Sequence, residues 1–234
     1  LVDLSSAVIV TDAGRLSVKD IFLAQNINAS GMVSTGVSSI SLMGNTNANT
    51  IVGTSGADVI QGGGGADVIQ AAAGDDVIVS NIADVMASSS ISGGEGLDTL
   101  VLQGTGGLIG DGGSNIFAKL TQVEQLSLAT VSPTTVRLPS SHRLTSINAS
   151  SVQGNGVTID GSNSVTGLSL TGSSQDDVLQ GGAGQDRFTG GAGNDTFVFN
   201  ATSSSANPAA FDAILDLSVG DKIRIDVANL QWIA

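Results

Sequence analysis

Three aspartates, Asp58, Asp67 and Asp76, stand nine residues apart in GTSGADVIQ GGGGADVIQ AAAGDDVIV (53 to 79), each preceded by a run of glycine and small residues. The spacing recurs as Asp177, Asp186 and Asp195 in GSSQDDVLQ GGAGQDRFT GGAGNDTFV (172 to 198), with related turns ending at Asn49 in GNTNANTIV (44 to 52) and at Asp98 in GGEGLDTLV (93 to 101). Carboxylates offered at a fixed interval on glycine-rich turns point to cation binding. Glycine permits positive φ and close backbone approach, so carbonyl oxygens can converge on one point, and the Asp adds charge there. An all-oxygen pocket of adaptable geometry suits Ca²⁺ over Mg²⁺, which demands a near-ideal octahedron.

A period of nine belongs neither to a helix nor to an ordinary strand. It fits a turn of six residues followed by a strand of three whose middle side chain points inward. Two such nonapeptides close one coil, and neighbouring coils lie about 4.8 Å apart. The turn at 53 to 58 then stacks on that at 71 to 76, so that Asp58 and Asp76 share a site. The inward residues are Ile51, Ile60, Ile69, Ile78 and Leu100, then Leu179, Phe188 and Phe197, and they predict a ladder along the coil axis. The expected fold is all-β: a parallel β-roll, or β-solenoid, with cation-binding turns.

Composition agrees. The 234 residues are 41% hydrophobic but only 3% aromatic, with 32 glycines, which suits a thin core between closely spaced strands. A net charge of −13 opposes nucleic acid or an anionic membrane as partner and suits bound cations. The absence of Cys excludes disulfides and thiolate metal sites. No apolar run is long enough to span a membrane as a helix. The chain opens on Leu1-Val2-Asp3 and reads as a fragment of something longer.

The organisation reads as a strand-rich lead-in (1–43), a first nonapeptide block (44–101), a solenoid spacer (102–171), a second block (172–198) and a C-terminal capping segment (199–234). A longer repeat encloses the blocks: INAS at 27 to 30 and 147 to 150 is followed by SLMG (41 to 44) or SLTG (169 to 172) and then by nonapeptides. Two copies of one module are expected. VEQLSLATV, TTVRLP, GVTID and GLSL are β-leaning runs, while AKLTQVEQL (118 to 126) and SVKDIFLAQN (17 to 26) could each make a short helical turn. After Val79 the spacing fails, and NIADVMASSS predicts a longer loop across which Asp98 pairs with Asp76.

Tandem GGxGxDxUx, with U a large aliphatic, resembles the repeat-in-toxin (RTX) β-roll motif, most closely at GGGGADVIQ, GGAGQDRFT and GGAGNDTFV. The resemblance implies that the carbonyls of motif positions 1 to 4 and the Asp at position 6 bind Ca²⁺ between successive coils. Carried over, the ligands are Gly62, Gly63, Gly64, Gly65 and Asp67, then Gly181, Gly182, Ala183, Gly184 and Asp186, and Gly190, Gly191, Ala192, Gly193 and Asp195. The less regular turns contribute Asn49; Gly53, Ser55 and Asp58; Ala72, Gly74 and Asp76; Gly94, Gly96 and Asp98; and Gly172, Ser174 and Asp177. AAAGDD lacks three glycines and GNTNAN carries Asn49 in place of Asp, so the block edges are expected to bind less tightly. FDAILDLSVGDKIRID (211 to 226) resembles the segment that follows RTX blocks, and Asp212 or Asp216 is expected to complete a terminal site beside Asp186.

Other chemistry is not indicated. His142 has no accompanying GxSxG nucleophile motif, Glu95 and Glu124 have no partner suggesting acid/base work, and the NAS and NAT sequons at 28, 148 and 200 are incidental. Asp could also serve merely to cap turns in a calcium-free solenoid. Phe117, Phe199, Phe211 and Trp232 are expected to cap the core ends. Blocks alternating with Ser/Thr/Gly/Val-rich strands, and phrases such as VEQLSL and TFVFN, resemble the C-terminal region of a bacterial RTX-type S-layer protein. That resemblance implies a non-enzymatic cell-surface protein, exported by type I secretion, that folds and self-associates on Ca²⁺; contact with surface polysaccharide through other regions is compatible with it. The alternative is the C-terminal secretion and folding region of an exported protease or lipase, or of a large adhesin.

Overall fold

The computed structural model describes residues 2–3, 26–30, 39–87, 89–105, 107–111, 115–130, 134–200 and 211–226. Among them the fold is all-β: short parallel strands wound as a β-solenoid, with one helical turn at Ile82–Met86 and one 3-10 turn at Ile116–Lys119. The chain divides into two compact units, Leu1–Gly104 with Ala118–Ser127, and Thr105–Phe117 with Leu128–Ala234.

In the first unit, one parallel stack runs through Asn26–Asn28, Thr50–Val52, Val68–Ala73 and Ser90–Glu95, pairing Ile27 with Ile51, Ile51 with Ile69 and Ile69 with Ile91. A second runs through Ser39–Met43, Ala57–Gln61, Val77–Asn81 and Thr99–Gly104, pairing Leu42 with Ile60, Ile60 with Ile78 and Ile78 with Leu100. Successive nonapeptides thus alternate between two sheets. The ladder expected from the sequence is two ladders, and Ile91, inside the Ser-rich insertion, belongs to one of them.

The second unit repeats the plan. Leu108–Gly110, Thr134–Arg137, Val157–Asp160, Val178–Gln180, Thr196–Asn200 and Lys222–Asp226 align Ile109, Val136, Ile159, Leu179 and Phe197 in register. Ser146–Asn148, Ser169–Thr171, Arg187–Thr189 and Ala213–Ile214 align Ile147, Leu170 and Phe188. Spacer strands and nonapeptide strands therefore share one sheet and one register.

In the triplets the middle residue is buried and its neighbours face outward, the two-residue alternation of a strand with one face on a core; at Phe197 the following Val198 is buried as well. All the aliphatic and aromatic positions named from the nonapeptides are buried to 1% exposure or less. Phe188 packs edge-on to Phe197 and Phe199, with centroids 6.1 and 5.6 Å apart. Phe117 is buried, whereas Phe211 is exposed and does not cap a core; Trp232 lies outside the described residues. The INAS copies fold alike: Ser30 N–H donates to Asn28 Oδ1 and Ser150 N–H to Asn148 Oδ1, with Ala29 and Ala149 buried. The helical turn anticipated in AKLTQVEQL forms only as the 3-10 turn, and residues 120–121 and 125–130 are strand. That anticipated at 17 to 26 lies outside the described residues, apart from Asn26, which is strand.

Candidate metal centre

Each motif Asp sits at the junction of turn and strand with its side chain turned inside. Asp58, Asp67, Asp76, Asp98, Asp177, Asp186 and Asp195 are all buried. One hydrogen bond recurs between coils: at most of these positions the backbone N–H donates to the Oδ1 of the acid on the coil that follows, while Asp67 donates to the Ser89 hydroxyl and Asp98 to Glu124 Oε2. In the first unit Asp58 donates to Asp76 (2.7 Å), Asp76 to Asp98 (2.9 Å) and Asn49 to Asp67 (2.9 Å). In the second, Asp177 donates to Asp195, Leu168 to Asp186 and Asp186 to Asp212. The bond fixes one carboxylate oxygen. What becomes of the other, Oδ2, divides the turns into two kinds.

In the turns that end at Asp58 and Asp177, Oδ2 is satisfied within the turn. Thr54 N–H donates to Asp58 Oδ2 at 2.7 Å, and the Thr54 hydroxyl lies 3.0 and 3.1 Å from the two carboxylate oxygens. Ser173 does the same for Asp177. The Asn49 turn is closed similarly by the Asn45 N–H on Asn49 Oδ1. Ser55 and Ser174, singled out from the sequence, point outward; their neighbours Thr54 and Ser173 make the cap. In the later turns, Asp76, Asp98 and Asp186 have a buried Oδ2 with no hydrogen-bond partner. In the turns that begin with glycine the carboxylate faces that first residue, so that a Cβ built on Gly62, Gly93, Gly181 or Gly190 would lie 2.0, 2.3, 2.0 or 2.2 Å from the Oδ2 of Asp67, Asp98, Asp186 or Asp195. Only glycine leaves that space open.

Turn backbones are equally close. A Cβ on Gly94 would meet Ala72 O at 1.7 Å and one on Gly96 would meet Gly74 O at 2.2 Å, so carbonyls of the 71–76 turn face the 93–98 turn. Ala72 holds φ at 90°, a left-handed conformation that L side chains rarely adopt, in the place where Gly63, Gly94 and Gly191 hold theirs. The backbone of AAAGDD thus keeps the glycine geometry at Ala72 although the glycine there is missing.

A family model for the RTX calcium-binding nonapeptide repeat, four copies long, matches residues 43–78 and 169–200. Both segments carry RTX repeats. No curated protein matches the chain. RTX nonapeptides bind calcium and are typical of secreted bacterial proteins. The 93–98 turn and the acids at 212, 216 and 221 lie beyond the matched residues.

The RTX turns of this chain fit a hard cation. Among the described residues no three Asp, Glu, His or Cys side chains gather on one point, so carboxylates alone cannot make a site, and backbone carbonyls must supply the remaining oxygens. The buried, unpartnered Oδ2 atoms are what such an ion would satisfy. Charge repulsion points the same way. Burial pushes the Asp76 carboxyl up to about 7; the Asp58 N–H opposes this, and the charges of Asp58, Asp98 and Asp75 add to it. Burial likewise raises Asp67, Asp186 and Asp195 to about 6, with Asp84, Asp212 and Asp177 respectively the main charges adding to it. A divalent cation between coils reverses this balance by favouring the ionised form.

Gly63, Gly64, Gly65, Ala183, Gly184, Ala192 and Gly193 form the outer backbone of their turns. Asp212 stands beside Asp186, while Asp216 accepts from Gly190 and Gly191 N–H with its two oxygens, 2.9 Å each. Sequence reasoning missed Asp221, which accepts from Asp195 N–H; Ser89, whose hydroxyl replaces a carboxylate above Asp67; and Asp84, which accepts from Gly65 N–H at 3.3 Å. It also missed Thr54 and Ser173 as caps. The available signal was a hydroxyl residue four positions before the motif Asp.

Proposed function

We propose that this chain is a calcium-dependent structural element of a bacterial cell-surface protein, of the S-layer kind, that folds and assembles outside the cell when Ca²⁺ fills the RTX turns. The observation that carries the reading is the shared register of spacer and nonapeptide strands, exemplified by Val136, Ile159, Leu179 and Phe197 in one parallel stack. Spacers that continue the solenoid build length, which suits a scaffold; a spacer that merely tethers a separate domain has no need to keep register.

Calcium supplies the driving force. Without it, buried Asp carboxylates repel and glycine-rich turns carry high chain entropy, so the polypeptide stays open where calcium is scarce and can be exported unfolded. At the roughly 10⁻⁴ to 10⁻³ M at which extracellular calcium modules work, binding supplies folding free energy. Calcium also screens the net charge of −13 that otherwise keeps copies apart.

Light scattering and negative-stain microscopy in millimolar Ca²⁺, then after EGTA, test the assembly. Reversible ordered oligomers or sheets are expected. A protein that folds with calcium yet stays monomeric at high concentration would shift the reading to the secretion and folding region of an exported hydrolase.

A further inference from the structure

The first block ends at the turn 93–98, where no nonapeptide follows. Asp98 is fully buried, and its Oδ2 has no hydrogen-bond partner. Beside it lies the loop that enters Gln125–Thr130. In that loop Gln122 holds a φ of 52°, one of two non-glycine residues with positive φ among the described residues. The consequence is a carbonyl aimed at the turn. A Cβ built on Gly93 would lie 2.0 Å from Gln122 O and 2.3 Å from Asp98 Oδ2.

The same pair of oxygens, one from the turn's own acid and one from a carbonyl of the next coil, meets at Gly53 (Asp58 Oδ2 and Ala71 O) and at Gly172 (Asp177 Oδ2 and Gly190 O), where the Thr54 and Ser173 hydroxyls satisfy the acid; the 93–98 turn has Gly94 in that place and no hydroxyl, which leaves Asp98 Oδ2 for a cation. Gln122 therefore stands where the first residue of a following nonapeptide would stand. Glu124 stands where its acid would be: Asp98 N–H donates to Glu124 Oε2 at 3.2 Å, and the Glu124 and Gln125 N–H groups return to Asp98 O. The step from Asp98 to Glu124 is 26 residues, the same as from Asp186 to Asp212 and from Asp195 to Asp221 at the end of the second block. Both blocks close by one device, although the loops that deliver it share no nonapeptide.

We propose that Asp98 Oδ2, the Gln122 carbonyl and the Glu124 carboxylate form a calcium site that closes the first block without a nonapeptide. The site rests on the reading of the RTX turns as calcium sites and adds one that the motif does not contain. The left-handed Gln122 is held because its carbonyl faces the ion. The longer Glu side chain spans the gap left where the turn does not repeat.

The test is the calcium count of the full 234-residue chain, measured by equilibrium dialysis with metal analysis. Glu124→Gln should bind one ion fewer than the wild type, with the remaining affinities unchanged, while Gln125→Ala, which removes only the acceptor of the Thr99 hydroxyl, should keep the full count. An unaltered count in Glu124→Gln overturns the site and leaves the calcium reading of the RTX turns standing; a wild type that binds no calcium overturns both. Should Glu124→Gln fail to regain β-structure in calcium by circular dichroism, Glu124→Asp decides. One ion weakened tenfold or more supports the site, and unchanged affinities overturn it.

Discussion

A single hydroxyl separates the two kinds of turn. Thr54 gives Asp58 the hydrogen bonds that an ion supplies elsewhere, so the 53–58 turn is furnished without metal. Thr54→Val keeps the shape and removes the hydroxyl, and should cost about 1–3 kcal/mol in calcium-saturated denaturation, the usual penalty for a buried acceptor left short of a partner. Thr54→Gly converts GTSGAD into GGSGAD and should add one bound calcium per chain, read by the same dialysis count. A count that does not rise would mean that Asp58 already holds an ion in the wild type. The cap was in the sequence, but a nonapeptide template reads Thr54 as a defect in the glycine pattern rather than as a substitute donor. The glycines themselves were legible for a firm reason, since a Cβ at Gly62 or Gly181 has no room beside the motif Asp.

At the level of strands and turns, the triplet is the unit of stability. Ile69 is buried between Ile51 and Ile91 in register, whereas Val68, its neighbour, is 38% exposed. Ile69→Ala should cost about 2–5 kcal/mol in calcium-saturated denaturation, and Val68→Ala within about 0.5 kcal/mol. Equal costs would mean the wrong face is buried. The sequence shows these triplets because the nonapeptide repeats; it hides the coils that do not repeat. The spacing lost after Val79 suggested a weak edge at Asp98, yet Val77 pairs with Thr99 and Asp76 N–H reaches Asp98 Oδ1, because the helical turn Ile82–Met86 takes up the extra residues. Asp98→Asn should therefore weaken calcium binding as much as Asp67→Asn in titration calorimetry. A markedly smaller effect would return Asp98 to the margin.

For the molecule as a whole, the raised carboxyls set a dependence on pH. Between an unfolded carboxyl value near 4 and folded values of about 6 to 7 for Asp67, Asp76, Asp186 and Asp195, the folded coil holds more protons than the unfolded chain. The calcium-free fold therefore loses stability as pH rises through that window and recovers it as pH falls. Circular dichroism in EGTA should show β-structure growing from pH 7.5 to 4.5 without added metal, and calcium affinity should drop over the same range as protons compete for the carboxylates. A chelated protein whose spectrum ignores pH would break the link between buried charge and calcium demand. Protonation and calcium are thus two ways of neutralising one ladder.

Coil length in this chain is not fixed. Hydrogen bonds between adjacent coils join residues 18, 20, 22, 23 and 26 positions apart, and parallel register survives every change of step. Extra residues are taken up outside the triplets, as at Ile82–Met86, where Ile82 and Val85 pack inward and Met86 and Ala87 face solvent, and the sheets stay in register across the insertion. One residue added inside a triplet would instead turn its buried side chain outward. The exposed end of that helical turn, at Met86 and Ala87, is accordingly a natural place to graft a foreign peptide, and such chains are free to diverge there while the ladder of buried residues stays fixed.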